Sequence, residues 1–423
     1  MTPQGRRLTA NEAQCGLALP LMRELLREFP VSLLFDEAHM ATLPPGAVAF
    51  QGMGGHLRGG ASRLIAALYE ADHRGLLLAD DGPKATDIIA KCAGNLPSLL
   101  GEEGPIFVVG MPRSGTSVTH KLLSLDPAAF SPTNAEWRTP SSLEGEAVRR
   151  ERAEEYLAES SGGGRTEELA WDEPAEDVFF LELAGVFATG TVPEYHLQEP
   201  DPYHTWLTKR QSAVTIFHLH KIIASLVRAQ RGEGASAAAA TTTPPSHHAP
   251  SHHAVFKDPQ HLVWLRAIAR VYPKCKFLWC HRDPDEVAAS VARTSVKTKM
   301  EKGLIDAQGI RDLMEEHHKL GLDQRRILDQ EDTPTFGTAP DLADRLKPNG
   351  DASCFFSNSA PGSRFFDVQL DDTVADPLAT VTRIYEHFGW TVSDEYKARL
   401  LEWAKNNTRR PLKKEEKRST TIS

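Results

Sequence analysis

One stretch, Pro105 to Pro127, restricts this 423-residue chain more than any other. Ile106-Phe107-Val108-Val109 is a β-branched and aromatic run that breaks on Gly110, and a helical pattern begins seven residues later. The change of period predicts a buried strand, a tight loop and a helix N-terminus. A helix's first turn leaves backbone N–H groups unpaired and carries partial positive charge, so this arrangement is suited to holding an anion. Gly110 and Gly115 stand four residues apart as in a P-loop and let the backbone approach a ligand, yet Thr116 and Ser117 follow where a P-loop carries lysine. A nucleotide triphosphatase needs that lysine, with Mg²⁺, to neutralise the β- and γ-phosphates. The loop's cation is instead Arg113. One arginine and a ring of amides suit a group less charged than a terminal phosphate, such as a sulfuryl group.

Pro112-Arg113-Ser114-Gly115-Thr116-Ser117 at a strand end resembles the 5′-phosphosulfate loop of sulfotransferases that use 3′-phosphoadenosine 5′-phosphosulfate (PAPS). The arginine form is similar to the bacterial-type and tyrosylprotein branch of that P-loop superfamily. A second block strengthens the resemblance. Lys276-Phe277-Leu278-Trp279-Cys280-His281 reads as a strand, and Arg282-Asp283-Pro284-Asp285-Glu286 leaves its end with Asp283 as N-cap and Pro284 in the first turn. Arg282, followed eight residues on by Ser290, is similar to the 3′-phosphate motif of PAPS enzymes: an arginine fork pairs phosphate oxygens and a hydroxyl adds a contact.

The resemblance implies an α/β fold with a P-loop-like central parallel sheet flanked by helices. It implies a PAPS-dependent sulfotransferase acting on a hydroxyl or amine by in-line displacement, releasing 3′,5′-adenosine bisphosphate and requiring no metal. Arg113, Ser114, Gly115, Thr116 and Ser117 would hold the sulfonated end of the co-substrate, and Arg282 and Ser290 its ribose phosphate. Both motifs must therefore lie at one rim of the sheet. A wide separation of Arg113 from Arg282 would dissolve the assignment.

An alcohol is a poor nucleophile, and a carboxylate of raised pKa can take its proton. By family resemblance Glu136, after the loop helix, fits that place, with Arg113 as its catalytic partner; the plain alternative is a surface glutamate. His120 is the rival base, with helix packing as its simpler role. In Trp171-Asp172-Glu173-Pro174-Ala175-Glu176-Asp177, four acids precede an apolar run and read first as helix-cap and dipole residues; the resemblance adds Glu173 and Glu176 as acceptor contacts. Lys257, at the end of the strand Ala254–Lys257, reaches the co-substrate's bridging phosphate, the acceptor or solvent.

The remaining sequence sets the frame. Residues 1–100 form an N-terminal helical region; 101–230 and 255–405 are the two parts of the sulfotransferase domain. A low-complexity insertion, 231–254, separates them, and a basic tail, 406–423, ends the chain. The insertion reads as disordered, and its two histidine pairs lack the supporting partners a metal site needs. Asp258-Pro259 is expected to open one helix with Leu262, Leu265, Ile268 and Tyr272 on a face, and Asp376-Pro377 another, closed by Gly389. Residues between Asp329 and Arg364 read as a loop.

A net charge of −9 argues against a nucleic-acid partner. Five cysteines with no CxxC pair point to reduced thiols. Arg6 and Arg7 are followed by no uninterrupted apolar stretch, so no membrane span is expected and a cytoplasmic place is. The acceptor, whether small molecule, carbohydrate, lipid or peptide, is left open. Rival readings are a P-loop nucleoside kinase or NTPase and a non-catalytic nucleotide-binding protein.

Overall fold

The computed structural model describes residues 103–140, 170–183, 210–239, 253–293, 306–332 and 363–407, with scattered positions between Ala93 and Glu154. The expected helices before residue 93, the end of the insertion at 240–252, most of the 329–364 loop and the basic tail beyond Asn407 lie outside them.

Five described strands form one parallel sheet. They are β1 (Ile106–Gly110), β2 (Ala129–Phe130), β3 (His253–Lys257), β4 (Lys276–His281) and β5 (Phe365–Gln369), in the order β2-β3-β1-β4-β5. β1 and β3 are buried along their whole length, which is why β1 reads as an unbroken apolar run, while β3 buries even its terminal His253 and Lys257.

Alternate side chains on each strand face opposite layers. Phe107, Val109, Phe256, Phe277 and Trp279 join one core cluster with α4 (Arg210–Ala239) and α5 (Leu265–Val271). Ile106, Val108, Val255, Leu278 and Cys280 join a second with α1 (Thr116–Ser124), α9 (Pro377–His387) and α10 (Asp394–Asn406). Short helices α2 (Asn134–Arg138), α3 (Val178–Leu183) and α8 (Leu370–Ala375), together with α6 (Pro284–Arg293) and α7 (Ala307–Asp332), complete the flanks. The expected α/β architecture is what the structure has.

The chain places β2 and β3 on one side of β1 before crossing to β4 and β5 on the other. Such a reversal opens a crevice at the carboxyl ends of the strands, the usual ligand position in open α/β sheets. The loops leaving β1, β3 and β4 all emerge there.

Local signals set several boundaries. Asp283 Oδ1 accepts from the amides of Asp285 and Glu286, and Asp376 Oδ1 from that of Ala379. Gly389, at φ 75°, closes α9. Three boundaries differ from expectation. α4 continues through Ala239, into the stretch expected to be a disordered insertion, because the alanine run favours helix despite its low complexity. β3 begins at His253, whose buried ring stacks on Trp390 at 4.5 Å. The helix expected after Asp258 is split into a 3₁₀ turn, Pro259–Val263, and α5, with Trp264 between.

Candidate active site

The β1–α1 loop is shaped by backbone constraints. Arg113 adopts φ 68°, alone in positive φ among the described non-glycine residues, a conformation that costs on the order of 1–2 kcal/mol. Gly115, at φ 99°, is the N-cap of α1, which has no side-chain cap and no acid in its first turn. The helix's N-terminal partial charge is therefore not met by any acid of its own first turn. Gly110 could not be alanine without cost: its Cβ would lie 2.5 Å from the Cys280 carbonyl oxygen. Thr116, in the P-loop lysine's place, is buried.

The two motifs found far apart in sequence touch. Arg113 Nε donates to Ser290 Oγ at 3.1 Å, and Arg282 Nη1 donates to the Arg113 carbonyl at 3.2 Å. Arg282 is also held by Glu286, one turn on, at 3.1 Å. The left-handed residue of the loop is thus gripped from the β4–α6 junction through both its side chain and its carbonyl.

Across the opposite side runs the acidic segment. The amides of Asn134, Ala135 and Ala175 bond the carbonyls of Glu173, Trp171 and Pro132, and the Asp177 amide donates to the Lys257 carbonyl at 2.8 Å. This backbone strapping sets two carboxylates on α1 and the end of β3. Glu173 pairs with Lys121 at 2.8 Å. Glu176 accepts from Ser117 Oγ at 3.3 Å and forms an ion pair with Lys257, which is buried rather than solvated.

With that geometry in view, the comparisons are decisive about kinship. Residues 105–394 match the profile of the sulfotransferase family, over half of the chain. The chain belongs to the sulfotransferase family. Its relatives include the omega-hydroxy-beta-dihydromenaquinone-9 sulfotransferase Stf3 of Mycobacterium bovis and of Mycobacterium tuberculosis, each 22% identical over 313 residues. That alignment spans 71% of this chain and 66% of the relatives' own length, just under two thirds. The crystal structure of sulfotransferase STF9 from Mycobacterium avium has the same fold, with a TM-score of 0.59 at 19% identity, covering 96% of this chain and 90% of that one.

Within this sulfotransferase-family site, several residues stand differently from their sequence expectation. Glu136 is the third residue of a capping box with Thr133, and it pairs with Arg231 through Nε at 2.7 Å and Nη2 at 2.5 Å. Its pKa is lowered, not raised: burial alone would push it up, but the hydrogen bonds and charge of Arg231 outweigh burial. His120 is buried, 2.7 Å from Ser131 Oγ, and burial together with Lys257 lowers its pKa to about 3.

Sequence reasoning missed Asp177. Rather than capping α3, it is wholly buried, accepting from Trp137 Nε1 at 3.0 Å and lying 3.3 Å from His220 Nε2, whose Nδ1 is 2.8 Å from the Tyr272 hydroxyl. The partners are 40 and 43 positions distant, so no local pattern could have announced them.

Among the described residues no helix is long and apolar enough to cross a membrane. Cys275, just before β4, and Cys280, its penultimate residue, are buried free thiols whose pKa burial pushes up to about 12.

Proposed function

We propose that this protein transfers the sulfuryl group of PAPS to a hydroxyl acceptor. The observation that carries the reading is the contact between Arg113 and the Arg282–Ser290 motif, which leaves the two anion-binding elements adjoining at one sheet rim, as a single adenylate requires. Arg113, the loop amides at Ser114, Gly115 and Thr116, and Ser117 face the phosphosulfate. Arg282 and Ser290 face the 3′-phosphate, the group that distinguishes PAPS from common adenine nucleotides. The acceptor oxygen attacks sulfur in line as the bond from sulfur to the phosphate oxygen breaks, and that electron pair leaves with 3′,5′-adenosine bisphosphate. Arg113, Lys257 and the α1 N-terminus stabilise the charge gathering on the leaving oxygen.

The acceptor's proton goes to a carboxylate. Glu136 has its oxygens committed to Arg231 and to its capping role, whereas Glu176 stands beside Ser117 and Lys257. This geometry favours Glu176 as the base and Glu136 as the residue that sets α2. The named substrate of Stf3 is a hydroxylated menaquinone, so hydroxylated lipids are the first acceptors to try.

Incubation with ³⁵S-labelled PAPS and acceptor pools, lipids first and then carbohydrates, small alcohols and tyrosyl peptides, is expected to give a labelled product from one pool. Mg²⁺-dependent hydrolysis of ATP with no labelled product would overturn the reading in favour of a triphosphatase.

A further inference from the structure

Lys257 poses a problem of charge. Its side chain is 1% exposed, and burying an ammonium without a counter-ion is costly. Two nearby carboxylates offer little. Asp258 is fully buried with its pKa raised well above the ordinary value, by burial first and then by the charge of Glu176. Asp177 is likewise raised, by burial first, and its oxygens serve Trp137 and His220. Among the described residues the ion pair made by Lys257 is with Glu176.

Glu176 is differently situated. Its side chain is 40% exposed, so it can rotate into solvent while the strapped backbone beneath it stays in place. The carboxylate rests where an incoming anion would go: its Oε1 accepts from Ser117 Oγ in the first turn of α1 and meets Lys257 from the other side. That helix brings no acid of its own to its N-terminus.

We propose, on the strength of the donor reading above, that Glu176 is a stand-in ligand. Without donor its carboxylate fills the anion position between Ser117 and Lys257, and a donor phosphate or sulfonate must displace it. Because Lys257 is too buried to be left alone, Glu176 departs only when another anion arrives. Displacement also opens Oε1, the oxygen that an acceptor hydroxyl must reach. Donor binding and release of the base are then one event, and the carboxylate is not available to an acceptor beforehand.

The test needs no acceptor. Titration calorimetry with 3′,5′-adenosine bisphosphate compares the wild type with Glu176→Gln, Lys257→Met and the double variant. Removing the competing charge should tighten binding roughly three- to tenfold in Glu176→Gln, although the substitution falls inside the site. Lys257→Met should weaken binding, and in that background Glu176→Gln should no longer tighten it, a non-additivity that isolates the pair. The rise in melting temperature on adding the nucleotide should also be larger for Glu176→Gln than for wild type. Should Glu176→Gln fail to fold, Glu176→Asp, too short to bridge Ser117 and Lys257 together, should shift affinity in the same direction. Equal or weaker binding by the Glu176 variant, with wild-type binding intact, overturns the stand-in and leaves the donor reading standing. No binding to the wild type overturns the donor reading and the stand-in with it.

Discussion

In the loops leaving β1 and β4, Arg113 and Arg282 each follow a strand end within a pattern of glycines, caps and a helix start that spans about a dozen residues. In the acidic segment and the short helix α2 beside it, Glu136, Glu176 and Asp177 have partners 95, 59 and 43 positions away. The difference separates two ways of making a polar residue functional. Arg113 and Arg282 are announced by their own strand ends and turns, and the fold then locks one to the other. Each of these carboxylates is defined by whichever distant group the fold brings to it, Arg231 for Glu136, Lys257 for Glu176, and Trp137 with His220 for Asp177.

The comparison can be broken most directly at Arg113. Arg113→Ala should lower sulfuryl transfer by about 100- to 1,000-fold, the range seen when a charge-stabilising donor is removed, with a melting temperature within a few degrees of wild type. Labelled-product formation and thermal denaturation check it; retained turnover would take Arg113 out of the chemistry. Gly110→Ala comes next. Its Cβ would press on a carbonyl at 2.5 Å that belongs to the neighbouring strand and cannot swing away, so affinity for 3′,5′-adenosine bisphosphate should fall by about tenfold or more and stability by roughly 1–3 kcal/mol.

Glu136→Gln sharpens the contrast from the carboxylate side. It should cost about 1–2 kcal/mol in urea unfolding, a discounted figure because Arg231 keeps contact with water, and should change turnover only a few-fold. The sign of the pH effect follows from the lowered pKa in the folded state. The stabilisation by Glu136 is complete above the ordinary value of 4.5 and is lost as pH falls through the folded value, so the gap between wild type and variant should close on acidification. A collapse of turnover with stability unchanged would return the role of base to Glu136. Ser290→Ala, which removes one hydrogen bond to Arg113, should have the smallest effect, a roughly three- to tenfold weaker hold on the bisphosphate by calorimetry.

The same division explains what could be read in advance. The strands at Ile106, Lys276 and Phe365 and the caps at Asp283 and Asp376 declare themselves within a few residues, so the fold and the two loops that meet at its rim were legible. Lys257 was left between ligand and solvent because a strand-end lysine carries no local mark of burial; the decision lies with Glu176, 81 residues earlier in the chain. Asp177 looked like a cap because acids ahead of an apolar run usually are caps, and only Trp137 and His220 reveal otherwise. The helix through Ala239 went unforeseen because low complexity was read as disorder, although alanine is the best of helix formers.

The strand order carries one more consequence. β1 and β2 come from before residue 240, and β3, β4 and β5 from after residue 252, yet in space the two sets alternate, with β1 wedged between β3 and β4. A chain severed between those positions would yield two fragments with gaps where the other's strands belong. Neither should be soluble by itself, and activity should return only on refolding them together, so that juncture is a natural place to build a split reporter.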